Sequence, residues 1–180
     1  MPQNIAKNKT SSIELSLYLK SFLLLMKPRV MSLVLFTAVV GLLVAPVKVS
    51  FLTGCLSLLA VAIGSGAAGA LNMWYESDVD AVMSRTCLRP IPTGKIKREN
   101  ALWFGVFLSI ASIVMLYLSS NLISAILLAA TISFYFFIYT IWLKRKTAQN
   151  IVIGGASGAL PPVIGWTIAT GSISIEPIIM

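Results

Sequence analysis

Histidine is absent from the 180 residues, and acidic residues are nearly so, with six Asp and Glu in all. Without histidine the chain has no imidazole to offer zinc or haem iron. Cysteine is scarce too. Cys55 lies in an apolar run and Cys87 in a polar one, with neither metal spacing nor a disulfide framework. Charged residues make up 11% of the chain, against about 25% in an average globular domain. Hydrophobic residues make up 57%. That balance excludes a soluble domain and calls for lipid as the solvent. The N-terminus has no short apolar segment followed by a small-residue cleavage site. The first long apolar run therefore reads as a retained helix, not a signal peptide.

What remains is a series of long apolar runs. A helix crosses the hydrocarbon core in about 20 residues. Five segments meet that length, at about Val30–Pro46, Phe51–Met73, Ala101–Ser119, Leu122–Leu143 and Ile151–Thr170, and a sixth begins at Ile175. Backbone groups in lipid must pair within their own segment, so these runs are expected to be helices. The fold class is all-α, a polytopic membrane helical bundle with about five transmembrane helices. Residues 1–26 are expected to form a cytoplasmic tail and residues 27–180 the transmembrane domain.

The net charge of +8 would suggest nucleic acid in a soluble protein. Here it reports topology, and no nucleic-acid partner is expected. Lys7, Lys9, Lys20, Lys27 and Arg29 precede the first run. Arg85, Arg89, Lys95, Lys97 and Arg98 follow the second, and Lys144, Arg145 and Lys146 follow the fourth. Thirteen of the fourteen basic residues thus fall on one side, and only Lys48 on the other. The excess of positive charge marks that side as cytoplasmic, the N-terminus included. The tail lacks the Arg-rich, acid-poor look of a transit peptide, which points to a bacterial inner membrane.

Two apolar runs are rich in small residues, Gly64–Ala70 and Gly154–Ala159. Small residues let helices approach closely, or leave room for a bulky apolar substrate. Pro161-Pro162 should bend or interrupt the fifth helix.

Chemistry concentrates in Asn72–Pro90, which holds three of the six acids. Asn72, Glu76 and Asp80 are four apart and share a face if the helix continues. An amide and two carboxylates offer oxygen ligands to a hard cation such as Mg²⁺, which also takes waters and phosphate oxygens. Arg85 and Arg89 follow, also four apart, and arginine forks match phosphate oxygens. Together the two sets suit a diphosphate. The plainer alternative is a helix end anchored by interfacial charge, with Glu76 or Asp80 paired to Arg85. Lys144-Arg145-Lys146 ends the fourth helix as a topology anchor, and offers a second phosphate or propionate contact on the same side.

At these residues the sequence resembles the UbiA superfamily of intramembrane prenyltransferases. The resemblance rests on Asn72-Met73-Trp74-Tyr75, Asp78 and Asp80, Met83-Ser84-Arg85-Thr86 and Arg89-Pro90. It also rests on Lys27-Pro28-Arg29-Val30, and on the later run Tyr139-Thr140, Leu143-Lys144-Arg145, Thr147, Asn150–Gly155 and Pro161-Pro162. It extends from about Lys27 to Trp166, and within the superfamily the protohaem IX farnesyltransferases are the most similar group.

The resemblance implies transfer of a farnesyl group from farnesyl diphosphate to a vinyl group of protohaem IX, giving haem O, in a lipid bilayer. Mg²⁺ would bridge Asn72, Glu76 and Asp80 to the diphosphate. Arg85 and Arg89 would neutralise the leaving group, and Asp78, Lys144, Arg145 and Asn150 would contact substrate. Haem enters as substrate, not as prosthetic group. The family usually carries Asp where this chain has Glu76. It also has nine helices and a second aspartate-rich motif, so the chain reads as C-terminally truncated. Other readings compete. One is a related prenyltransferase acting on an aromatic quinone precursor, which Asn72–Tyr75 argues against. Another is a transporter piece, which would place its polar site near the midplane. A third is an inactive fragment.

Overall fold

The computed structural model describes residues 15–146 and 149–179. Lys7, Lys9 and Thr147 lie outside them. Every regular element among the described residues is helical. Helix α1 spans Leu15–Leu25 and α2 Pro28–Val44, and the two meet at a 52° bend. Lys27 forms the elbow in the left-handed region, at φ 52°. Pro28 then supplies the fixed φ that suits a first helical position. Residues 15–25 fall within the expected tail, where Lys20 and two serines dilute the leucines. They form a helix because Leu25, Phe22 and Ser21 have somewhere to go: Leu25 is fully buried and the Phe22 ring meets Phe104 edge-on at 4.8 Å.

Helix α3 (Phe51–Tyr75) is the longest and the most buried. Ser50 caps it by accepting the Thr53 N–H at 3.2 Å. At 1.5 Å per residue its 25 residues span about 37 Å, enough to cross the hydrocarbon core. A short helix, α4 (Ser77–Val82), continues from it. Helices α5 (Arg98–Ser119), α6 (Leu122–Leu143), α7 (Asn150–Thr170) and the short α8 (Glu176–Ile179) follow. Four helices, α3, α5, α6 and α7, are each long and apolar enough to cross a membrane, and the bent α1–α2 pair makes a fifth candidate. The protein is a multi-pass membrane protein of all-α fold.

Helix α3 packs chiefly on α5, and α2 on α7. The core lies between them, around Ala60, Val61, Ala68, Leu116, Leu128, Ile132 and Ile164. Small residues set the spacing where α2 crosses α7. A methyl group added at Gly41 would sit 2.0 Å from the Pro162 carbonyl oxygen, and one at Gly165 would sit 2.0 Å from the Ala38 carbonyl oxygen. Of the bend or interruption expected at Pro161-Pro162, the interruption does not occur, and α7 is one continuous helix from Asn150 to Thr170. The carbonyls that lose their partners belong to Ser157 and Gly158, and both residues line an open cavity, where such groups are tolerated.

The second half of α6, Phe134–Leu143, is wound as a π-helix. The Lys144 N–H bonds back five residues to the Tyr139 carbonyl at 3.0 Å. Such turns are uncommon and recur at functional sites.

Candidate active site

Helical hydrogen bonding carries across the junction of α3 and α4. The Glu76 N–H bonds the Asn72 carbonyl at 3.0 Å, and the Asp80 N–H bonds the Glu76 carbonyl at 2.8 Å. Asn72, Glu76 and Asp80 therefore lie on one face, and all three are buried. Asp78, two residues out of phase, points the other way, with its side chain 55% exposed.

Each buried oxygen group meets a basic side chain from a different element. The Lys27 ammonium, at the α1–α2 elbow, donates to Asn72 Oδ1. Lys144, at the end of the π turn, lies 2.5 Å from Glu76 Oε1. Arg89 Nη1 donates to both Asp80 oxygens, at 2.8 and 2.7 Å. On the outer side Arg145 donates to Asp78 at 2.9 and 3.1 Å and lies over the Tyr75 ring, 4.7 Å from its centre. The Val79 backbone N–H and then Arg145 hold the Asp78 carboxyl below the usual carboxylate range.

The face is also tied from behind. Asn72 Nδ2 donates to Thr140 Oγ1 at 3.2 Å, and the Thr140 hydroxyl donates to the Tyr135 carbonyl at 2.9 Å. Thr140 is fully buried. The π turn thus gives two contacts to the acidic face, Thr140 to Asn72 and Lys144 to Glu76.

The segment after α4 separates the two arginines that the sequence placed together. Met83 is extended, with ψ 126°, so the four-residue spacing no longer puts Arg85 and Arg89 on one face. Arg89 turns in to Asp80, whereas Arg85 is exposed. The alternative pairing of Glu76 or Asp80 with Arg85 does not form. Asn150, at the start of α7, donates to the Lys144 carbonyl at 3.4 Å and so sits beside the basic cluster. Lys27 and Thr140 also belong to the site, each through Asn72, although neither falls within Asn72–Pro90. Their signal was adjacency, to Pro28-Arg29 and to Lys144-Arg145.

An apolar cavity of about 200 Å³ opens beside this cluster. Lys27 lines it at the charged end. Val34, Val61, Ile132, Tyr135 and Ile164 line its walls. Along α3 it runs from Gly69 to Val61, eight residues or about 12 Å of helix. Gly155 and Gly158 of α7 have open space where a side chain would stand, and Gly158 borders the cavity. Of the two roles open to the glycine-rich runs, Gly66 and Gly154 serve close packing, against the Met26 side chain and the Tyr139 ring, and Gly158 leaves room.

The donor set fits a hard divalent cation in kind: an amide oxygen and two carboxylates on one buried face. Among the described residues no cluster of three or more His, Cys, Asp and Glu could hold a metal. A cation here would need Asn72 Oδ1 and oxygens from a ligand to complete its shell. The inner cluster of Lys27, Arg89 and Lys144 against Glu76 and Asp80 carries one excess positive charge, which favours an anionic ligand. Cys55 and Cys87 are both free thiols.

Residues 34–180 match the UbiA prenyltransferase family. The chain is 68% identical over 154 residues to the protoheme IX farnesyltransferase of Pelagibacter ubique, covering 86% of this chain and 51% of that protein. It is 62% identical over 156 residues to the protoheme IX farnesyltransferase of Methylobacterium radiotolerans, covering 87% and 49%. Protoheme IX farnesyltransferase 2 of Mesorhizobium japonicum is 58% identical over 159 residues, covering 88% and 51%. The chain spans about half the length of the curated relatives it matches. No solved structure matches it.

Proposed function

The chain belongs to the UbiA prenyltransferase family, and from that premise we propose that its protein transfers a farnesyl group from farnesyl diphosphate to a vinyl group of protohaem IX. The observation that carries the proposal is the union of a buried, cation-matched acidic face with an apolar cavity at its edge. A prenyl diphosphate has the same two parts. The names of the relatives support farnesyl as the prenyl group and protohaem as the acceptor.

In this reading the diphosphate lies over Asn72, Glu76 and Asp80 and the farnesyl chain enters the cavity toward Val61 and Ile164. The bond from the first prenyl carbon to the diphosphate oxygen breaks, and that carbon bonds to the vinyl group. Water adds its hydroxyl to the vinyl group to complete haem O, its remaining proton passes to the diphosphate, and diphosphate leaves. Lys27, Arg89 and Lys144 meet the charge that builds on the departing diphosphate, with Arg85 and Arg145 at the rim. Fixed cations aimed at developing charge are an effective form of catalysis. Asn72, Glu76 and Asp80 would hold Mg²⁺, which supplies Lewis-acid neutralisation of the phosphate oxygens when bound. The apolar walls keep water from the electron-poor prenyl carbon.

The one-sided distribution of basic residues supports an N-terminus in the cytoplasm, and a tail without the look of a transit peptide supports a bacterial inner membrane. Contacts from Lys27 to Asn72, Arg145 to Asp78 and Arg98 to the Trp74 ring gather three basic segments at one end of the bundle.

Haem extraction and mass spectrometry test the proposal. Membranes carrying the protein from its complete reading frame are supplied with farnesyl diphosphate, protohaem and Mg²⁺. Haem O that disappears with Asp80→Ala is the expected result. Prenylation of a quinone precursor with no haem O would overturn it.

A further inference from the structure

The amide of Asn72 is chemically two-ended, and only its oxygen can meet a cation or a donor. Two neighbours fix which end faces the cluster. The Thr140 hydroxyl has one proton and gives it to the Tyr135 carbonyl at 2.9 Å. Its oxygen can then only accept, so the Asn72 NH₂ must face it, as it does at 3.2 Å. On the opposite side Lys27 has donors and no acceptor, so Oδ1 must face Lys27. Both constraints choose the same orientation. Asn72 and Thr140 are fully buried, so no bulk water competes. The Tyr135 carbonyl is five residues back from Thr140, within the π turn.

We infer that Thr140 is a positioning residue, which holds the Asn72 amide with its oxygen toward the diphosphate site and thereby sets metal affinity there. The inference rests on the proposed function, in which Asn72 Oδ1 is a metal ligand. Residues that orient a ligand from behind typically carry about 10- to 100-fold in metal affinity. Thr140→Val keeps the shape and removes the acceptor. Thr140→Ser keeps the hydroxyl. Asn72→Asp makes the two ends equivalent, so orientation no longer matters.

The test uses the purified protein in detergent micelles, with farnesyl thiodiphosphate as a non-reacting probe. Mn²⁺ binding is followed by electron paramagnetic resonance, and folding by size exclusion. Thr140→Val should raise the half-saturating Mn²⁺ concentration about tenfold, and Thr140→Ser should restore it to within about twofold. On an Asn72→Asp background, Thr140→Val should add almost nothing, a coupling that a general loss of packing would not produce. Thr140→Cys, close in size and a weak acceptor, carries the test if valine disturbs the π turn. Unchanged Mn²⁺ affinity in Thr140→Val, with binding abolished by Asp80→Ala, would overturn this inference and leave the proposed function standing. Metal-dependent binding that survives Asp80→Ala would overturn both.

Discussion

Gly165→Ala should destabilise the bundle, whereas Gly155→Ala, ten residues earlier in the same helix, should not. The added methyl at Gly165 would lie 2.0 Å from the Ala38 carbonyl oxygen, 2.8 Å from the Leu42 nitrogen and 2.9 Å from the Ala38 carbonyl carbon. Ordinary contact begins at 3.4 Å, so α2 and α7 must part by up to 1.4 Å. All three obstructing atoms are backbone, so no rotamer change relieves the clash. Overpacking of this kind costs about 1–3 kcal/mol, and a rigid partner favours the upper end. At Gly155 a methyl meets nothing within 4 Å. There the change removes a poor helix former and should be neutral or stabilise by up to about 1 kcal/mol. Folding would be measured in mixed micelles titrated with SDS, followed by tryptophan fluorescence, since Trp166 is buried beside Gly165. Equal stability of the two variants would refute the reasoning that the α2–α7 crossing is set by backbone contact.

The two arginines of the site should behave differently. Arg89→Met leaves the Asp80 carboxylate buried without its partner and should cost about 3 kcal/mol of stability, read in the same titration. Arg85→Gln removes an exposed side chain and should stay within about 0.5 kcal/mol, while raising the KM for farnesyl diphosphate. Divalent metal alone should bind weakly, because the inner cluster already carries excess positive charge. Isothermal titration with Mg²⁺ should show affinity rising at least tenfold when farnesyl thiodiphosphate is present, and equal affinity with and without it would count against the charge argument.

The spans were legible because lipid imposes a simple length and composition rule, and Phe51–Tyr75 and Leu122–Leu143 obey it. The acidic face was legible because four-residue spacing survives the α3–α4 junction. Three features were hidden. Helix α1 depends on the burial of Phe22 and Leu25 against other elements, a tertiary effect. The π turn of α6 leaves no mark in an apolar sequence, yet it brings Thr140 and Lys144 to the acidic face. The extended backbone at Met83 broke the apparent Arg85–Arg89 pair, because helical spacing means nothing where the helix stops. The glycine-rich run of α7 reads as uniform, but Gly154 abuts the Tyr139 ring while Gly155 and Gly158 face open space.

Photolabelling tests most directly the claim that a prenyl diphosphate joins the acidic face to the cavity. A farnesyl diphosphate analogue with a diazirine at the tail end would be irradiated with the protein in membranes and Mg²⁺, and the adducts mapped by mass spectrometry. The account predicts labels on cavity residues such as Val61, Ile132 and Ile164, lost with Asp80→Ala or excess diphosphate. Labels confined to lipid-facing residues such as Phe107 and Leu118, unchanged by either treatment, would contradict it.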